Sequence, residues 1–332
     1  GRPSPLYHAE NLSNKLGGAK ILFKQEHLNH TGSHKITNSL FQVLLAKRMG
    51  KKNLICESGA GQHYSATAAV AAKFGIPLIG VMGEVDIKRV NQNIIKAKHY
   101  GAKLKAVPGT LKEAITDAIK TWITNPDYYY VCGSAVSSFP FPKIVQFAQS
   151  IIGREIREQS MEQEGRLPDM ICGCVGGGSN FIGSIHEFLD EPNIKKIGVE
   201  AAETAALTHG TPNIMQGMKS YMLASSDGSK SLGGSSLGAG IQYFGVGPQH
   251  SYLKDQGAVT YTSATDKEIL NAYKVVAQTE GISSALEPMA AAAEVLKQAK
   301  GKPKDFIIVL SLCGRGEKDL DTIEEHMGKD FE

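Results

Sequence analysis

The sequence contains no apolar run approaching the roughly 18 residues that a membrane-crossing helix needs. It has no excess of one charge either. Lys and Arg number 36 against 33 Asp and Glu, a net of +3, too even to suggest nucleic acid or an anionic membrane as partner. The opening Gly1-Arg2-Pro3-Ser4-Pro5 does not have the make-up of a signal or transit peptide. It also lacks an initiating methionine and reads as interior sequence, so a segment removed ahead of it is expected. There is no internal repeat and no low-complexity tail. Cysteine is scarce and odd in number: Cys56, Cys132, Cys172, Cys174 and Cys313 sit mostly in apolar, strand-like runs. That pattern suits reduced, buried thiols in a cytoplasmic enzyme, not a disulfide framework. Cys172-Gly173-Cys174 has no Cys or His partners at zinc spacing, which argues against a metal centre there.

What is present is an ordinary globular composition, 42% hydrophobic and 21% charged over 332 residues, with room for two domains or one large α/β unit. Strand-like and helix-like segments alternate. Residues 19–23, 54–57, 77–82, 102–107 and 129–132 read as strands, with helices over 66–74, 86–100 and 111–124 and another beginning near Thr37. After a Ser-, Phe- and Pro-containing loop (134–142), one long amphipathic helix is expected over 143–164, then strands at 170–175 and 196–200. The stretch 201–247, rich in Gly and Ser, reads as long, partly ordered loops of the kind that cover a site. Regularity returns with a strand at 258–261, helices at 266–279 and 284–299, and a strand at 306–312. The repetition implies an α/β fold of βαβ units, with mostly parallel sheets buried on both faces.

Four stretches at strand-to-helix connections carry candidate chemistry. Lys35 closes Asn29-His30-Thr31-Gly32-Ser33-His34-Lys35. The helix dipole disfavours a cation at that position, and a neutral amine there can form a Schiff base with a carbonyl cofactor such as pyridoxal phosphate. Taken alone, such a lysine is more often a solvated charge. Gly176-Gly177-Gly178-Ser179-Asn180 allows backbone N–H groups to converge on a phosphate, the alternative being a plain glycine turn. It matches neither a Walker loop nor the dinucleotide fingerprint. Glu57-Ser58-Gly59-Ala60-Gly61-Gln62-His63 offers a second anion nest, headed by a carboxylate at a strand's carboxyl end. A partly buried carboxylate exchanges protons near neutrality, although a turn carboxylate is the plainer reading of Glu57. Cys313-Gly314-Arg315-Gly316 follows the last strand, where a buried structural thiol is the plainer reading.

Together, His-Thr-Gly-Ser-His-Lys, Glu-Ser-Gly-Ala-Gly-Gln-His, Gly-Gly-Gly-Ser-Asn and the closing Cys-Gly-Arg-Gly-Glu-Lys-Asp closely resemble the tryptophan synthase β chains, pyridoxal-phosphate enzymes of the second fold type. The resemblance runs from Gly1 to about Thr322 and takes in Gly245-Val246-Gly247-Pro248-Gln249-His250. It implies two three-layer αβα domains with mostly parallel sheets and the cofactor between them. The smaller domain would be 34–148, with a mobile lid of about 50–128, and the larger 1–33 plus 149–332. The implied reaction is β-replacement, L-serine plus indole to L-tryptophan and water through an aminoacrylate. Lys35 would be the Schiff-base lysine, and Glu57 the acid/base for loss of water and activation of indole. His34 and Gly176, Gly177, Gly178, Ser179 and Asn180 would hold the cofactor phosphate, with Glu287 and Cys313 near its ring. Ser58, Gly59, Ala60, Gly61, Gln62 and His63 would hold the substrate carboxylate. Backbone carbonyls of Gly176, Tyr243 and Gly245 would bind a monovalent cation, Na+ or K+. The resemblance also implies a cytoplasmic homodimer and raises a tryptophan synthase α chain as partner, through Lys112.

Several residues depart from the family pattern. Cys313 stands where the β chains carry a serine, and Gln242 where they carry an aspartate that pairs with an arginine, here Arg89, in the closed state. Tyr64 replaces a glycine and is expected to narrow a pocket beside the carboxylate loop, and His27 replaces an aspartate. The region 201–218 is shorter than the pattern, and the family's N-terminal segment does not form part of this sequence. Gln242 and Tyr64 favour a divergent synthase with another donor or nucleophile as the alternative. A third reading is an inactive binding or regulatory paralogue, which intact Lys35 and Glu57 oppose. A nucleotide-binding protein is disfavoured, because no ribose-binding acid follows the glycine loop at the required spacing.

Overall fold

The computed structural model describes residues 1–88, 91–225, 232 and 234–330. Its strands, in chain order, are β1 (Leu6–His8), β2 (Lys20–Lys24), β3 (Asn53–Glu57), β4 (Leu78–Gly83), β5 (Lys103–Val107), β6 (Tyr128–Tyr130), β7 (Met170–Cys174), β8 (Lys195–Ala201), β9 (Thr211–Met215), β10 (Met218–Met222), β11 (Thr260–Ala264) and β12 (Ile307–Ser311). The chain divides into two units, one made of Gly1–Gly32 with Ala135–Glu332 and the other of Ser33–Ser134. Among the described residues no helix is long and apolar enough to cross a membrane.

The smaller unit is a four-stranded parallel sheet in the order β5-β4-β3-β6. Leu54, Ile55 and Cys56 of β3 are fully buried, the pattern of a central parallel strand covered by helices on both faces. Helices Lys35–Arg48 and Gln62–Phe74 supply Val43, Ala46, Ala68 and Ala71 to its core. Helix Leu111–Thr124 starts with a capping box in which the Thr110 N–H donates to Glu113 Oε2 at 2.8 Å.

The larger unit carries the order β1-β2-β12-β7-β8-β11, parallel except for the edge strand β1, and a separate β9-β10 hairpin. Helix Leu286–Gln298 lies on this sheet with Met289, Ala290 and Ala291 fully buried, the two alanines being small enough to allow close helix–sheet approach. The first residues are tied down by a buried ionic network. Arg2 contacts Glu26 and Glu155, each at 2.8 Å, and the fully buried Lys24 reaches Glu155 at 2.7 Å.

The structure departs from the sequence pattern in two places. The region 201–247 is not simply loop, since it holds the β9-β10 hairpin and a short helix, Ala206–His209. The hairpin turns on Gln216 and Gly217, both at positive φ (49° and 76°), the two-residue geometry that matches strand twist. The single long helix over 143–164 is two, Phe141–Gln149 and Ile151–Glu164, meeting at Ser150. There the hydroxyl donates back to the Phe147 carbonyl at 2.9 Å, a bond that competes with the helical ladder.

Candidate active site

Open α/β sheets bind ligands at the carboxyl ends of their strands, where the strand order reverses. In the smaller sheet the chain runs outward from β3 through β4 to β5, then returns as β6 on the other side of β3. The reversal lies between β3 and β6, whose carboxyl ends carry Glu57 and the segment Val131-Cys132-Gly133. Lys35, half-buried, is the first residue of helix Lys35–Arg48, and its Nζ donates to the Gly133 carbonyl. The Gly133 N–H donates to Glu57 Oε1 at 2.8 Å. The two peptide groups that flank the Gly133 Cα therefore bind the two candidate catalytic side chains, one each. A Cβ at Gly133 would lie 2.6 Å from His63 Cδ2 and 2.8 Å from Glu57 Oε1, so only glycine fits.

Glu57 is 4% exposed, and its Oε2 is buried without a hydrogen bond of ordinary geometry. Burial pushes its carboxyl up to about 6, while the Tyr130 hydroxyl, the Gly133 N–H and the Lys35 charge pull the other way. Such a group holds or releases a proton near neutral pH. His63 is held down at about 3 by burial and by the Lys35 charge. Its Nε2 donates to the Val131 carbonyl at 2.8 Å, so its ring is a neutral strut under the site.

Ser58, Ala60 and Gly61 are buried and Gly59 and Gln62 half-buried in the turn after β3, where helix Gln62–Phe74 begins. First-turn N–H groups of a helix have no intrahelical acceptor and favour an anion. Asn93 holds this turn by donating to the Ala60 carbonyl at 2.9 Å. His34 is buried immediately before Lys35. Tyr64, expected to narrow a pocket, instead lies at 0% exposure in the core of the smaller unit, where its ring fills the space beside Gly80. Arg89 lies outside the described residues.

In the larger sheet the chain runs outward from β7 through β8 to β11 and returns as β12 on the other side of β7, so the reversal lies between β7 and β12. The glycine loop follows β7 and Cys313 follows β12, with Cys313 Sγ 3.6 Å from Cys174 Sγ. Gly178 has φ +91° and precedes helix Ser179–Ile185. Asn180 Oδ1 accepts from the Ser311 hydroxyl at 3.0 Å, while its buried Nδ2 has no hydrogen-bond partner. A buried donor left over beside a glycine loop and a helix N-terminus fits an anionic ligand such as a phosphate.

Glu287 is buried on helix Leu286–Gln298, where its Oε1 accepts from the Gly240 N–H at 2.7 Å and from Lys318 Nζ at 2.8 Å. Burial alone would raise its carboxyl, but the Lys318 charge holds it below the usual range. Lys318 also reaches both oxygens of Asp319 at 2.7 Å, and the two carboxylates keep its ammonium charged although its side chain is only 6% exposed. Gly176 lies against Gly240 and Ile241, close enough that a Cβ there would meet the Gly240 carbonyl at 2.9 Å. Gln242 and Tyr243 follow the turn Ala239–Ile241, and Gly245 is bridged to Met222. Residue-by-residue reading missed Gly133, His250 and Lys318, because each acts through tertiary contacts. The Gly245–His250 stretch and the closing Glu-Lys-Asp were the only signals.

A sheet with a lysine–carboxylate pair at its reversal, and a sheet with a glycine anion loop at its own, define a class. Residues 1–314 match the family model described as pyridoxal-phosphate dependent enzyme. A solved O-ureido-L-serine synthase mutant, bound to O-ureido-L-serine, shares the fold at TM-score 0.75 and 19% identity, over 97% of this chain and 91% of that one. The tryptophan synthase beta chain of Allorhizobium ampelinum is 50% identical over 340 residues, covering 99% of this chain and 84% of that protein. The chain belongs to the tryptophan synthase beta-chain family of pyridoxal-phosphate dependent enzymes.

Proposed function

We propose that the chain condenses L-serine with indole to give L-tryptophan and water, using pyridoxal phosphate. The observation that carries this reading is the meeting of Lys35 and Glu57 at the backbone of Gly133. When bound, pyridoxal phosphate withdraws electrons from the amino acid's Cα and so makes the departure of a β-substituent feasible. Lys35 holds the cofactor through its amine and moves the proton at Cα. Glu57, poised at about 6, gives a proton to the departing β-hydroxyl and takes one from the indole ring. The turn Ser58, Gly59, Ala60, Gly61, Gln62 and His63 holds the substrate carboxylate through its backbone N–H groups, and burial around Glu57 keeps water from the reacting carbon.

In the same reading, His34 and Gly176 to Asn180 bind the cofactor phosphate, with Glu287 and Cys313 by its ring. Gln242 and Arg89 act on the substrate side, and the carbonyls of Gly176, Tyr243 and Gly245 take a monovalent cation. Residues 34–148 work as the smaller domain and 1–33 with 149–332 as the larger, the segment 50–128 closing as a lid during turnover. Membership of the family supports a cytoplasmic homodimer with a tryptophan synthase α chain as partner, engaged in part through Lys112.

The test is to supply the cofactor-loaded protein with L-serine and indole and to assay tryptophan by mass. Tryptophan formation that is lost in Lys35→Ala and Glu57→Ala is expected. Serine turnover without tryptophan would move the reading to a synthase with another nucleophile, the alternative that Gln242 favours. No reaction with serine would contradict it.

A further inference from the structure

Two consecutive carbonyls of the glycine loop are held by one segment, the start of helix Pro248–Asp255. The Gly247 N–H donates to the Gly177 carbonyl at 3.2 Å, and His250 Nε2 lies 2.8 Å from the Gly178 carbonyl, which also accepts from the Ile182 N–H at 3.0 Å. A carbonyl only accepts, so Nε2 carries the ring proton. Burial keeps the ring neutral, which leaves Nδ1 as an acceptor for the Tyr261 hydroxyl at 2.9 Å. His250 is fully buried, stacks on Phe181 at 6.0 Å and 6°, and meets Tyr261 edge-on at 5.8 Å. A Cβ at Gly178 would strike its ring at 2.1 Å, so the loop residue must be glycine for the histidine to reach the carbonyl.

The geometry of the trans peptide gives this contact its meaning. Within one peptide group the C=O and the following N–H point in opposite directions. Holding the Gly177 and Gly178 carbonyls toward helix Pro248–Asp255 therefore aims the Gly178 and Ser179 N–H groups away from it, to the other side of the loop.

We propose that His250, oriented by Tyr261, is a positioning residue that fixes the direction of the loop N–H groups binding the cofactor phosphate. This rests on the reading that the loop takes the phosphate of pyridoxal phosphate. The His250 ring touches neither cofactor nor substrate, and its effect is confined to the phosphate end.

That confinement sets the experiment: titration of the protein, and of His250→Phe and Tyr261→Phe, with pyridoxal phosphate and with pyridoxal, which lacks the phosphate. Phenylalanine keeps the stack on Phe181 and removes both hydrogen bonds. Loss of a bond of this kind corresponds to about a tenfold weakening. His250→Phe is expected to weaken pyridoxal phosphate about tenfold and to leave pyridoxal within about twofold, with Tyr261→Phe showing the same selectivity to a smaller extent. Equal weakening of both ligands, or of neither, would overturn the positioning role and leave the cofactor reading intact. A wild-type protein that binds neither ligand would overturn both. If His250→Phe does not fold, Tyr261→Phe decides, because it removes one hydroxyl only.

Discussion

Gly133 donates its N–H to Glu57 Oε1 at 2.8 Å, and its carbonyl accepts from Lys35. A single residue just beyond β6 thus holds the Glu57 carboxylate and the Lys35 amine, the proposed acid/base and cofactor lysine, in fixed relation. Gly133→Ala should displace both, since the new Cβ meets His63 and Glu57 within 2.8 Å. The expected cost is about 1–3 kcal/mol of stability and a loss of turnover of at least roughly a hundredfold. Thermal melting and steady-state rates measure the two effects.

Glu57 gives a pH dependence of definite sign. Its carboxyl titrates near 4.5 in the unfolded chain and about 6 in the folded one, so the folded protein binds the extra proton between those values. Stability therefore falls as pH rises through that window, by about 2 kcal/mol in full above it. Glu57→Gln should melt higher than the parent at pH 7.5 and lose the difference below pH 4.5, while turnover disappears. Melting curves across pH check the sign.

Lys318 neutralises two buried carboxylates, Glu287 and Asp319. Lys318→Met should cost about 3–5 kcal/mol by leaving them without a counter-charge. Adding Glu287→Gln should recover part of that loss. Denaturant unfolding of the single and double variants reads the coupling.

Tyr64 carries a buried hydroxyl without a hydrogen-bond partner inside the smaller unit's core. Tyr64→Phe should raise stability by about 1 kcal/mol and leave turnover unchanged. A fall in turnover would return Tyr64 to the site.

The strands were legible because a parallel strand buried on both faces is a short apolar run, as in Leu54-Ile55-Cys56 and in Ile307-Ile308-Val309-Leu310. Lys35, Glu57 and the glycine loop stood out because each sits where such a run gives way to a helix. The β9-β10 hairpin was hidden by Pro212 in its first strand and by a Gln216-Gly217 turn, weaker as a signal than Asn-Gly. Tyr64 was misread because its neighbour Gly80, sixteen positions along the chain, is what makes room for the ring. Gly133 and His250 owe their roles to partners 76 and 72 residues away. No local pattern carries such information.

In the proposed reaction Lys35 is the residue that holds pyridoxal phosphate. Borohydride reduction of the cofactor-loaded protein, followed by peptide mapping, tests it most directly. A phosphopyridoxyl group is expected on the peptide containing Lys35 and none in Lys35→Ala. A label on another lysine, or an unchanged label in that variant, would contradict it.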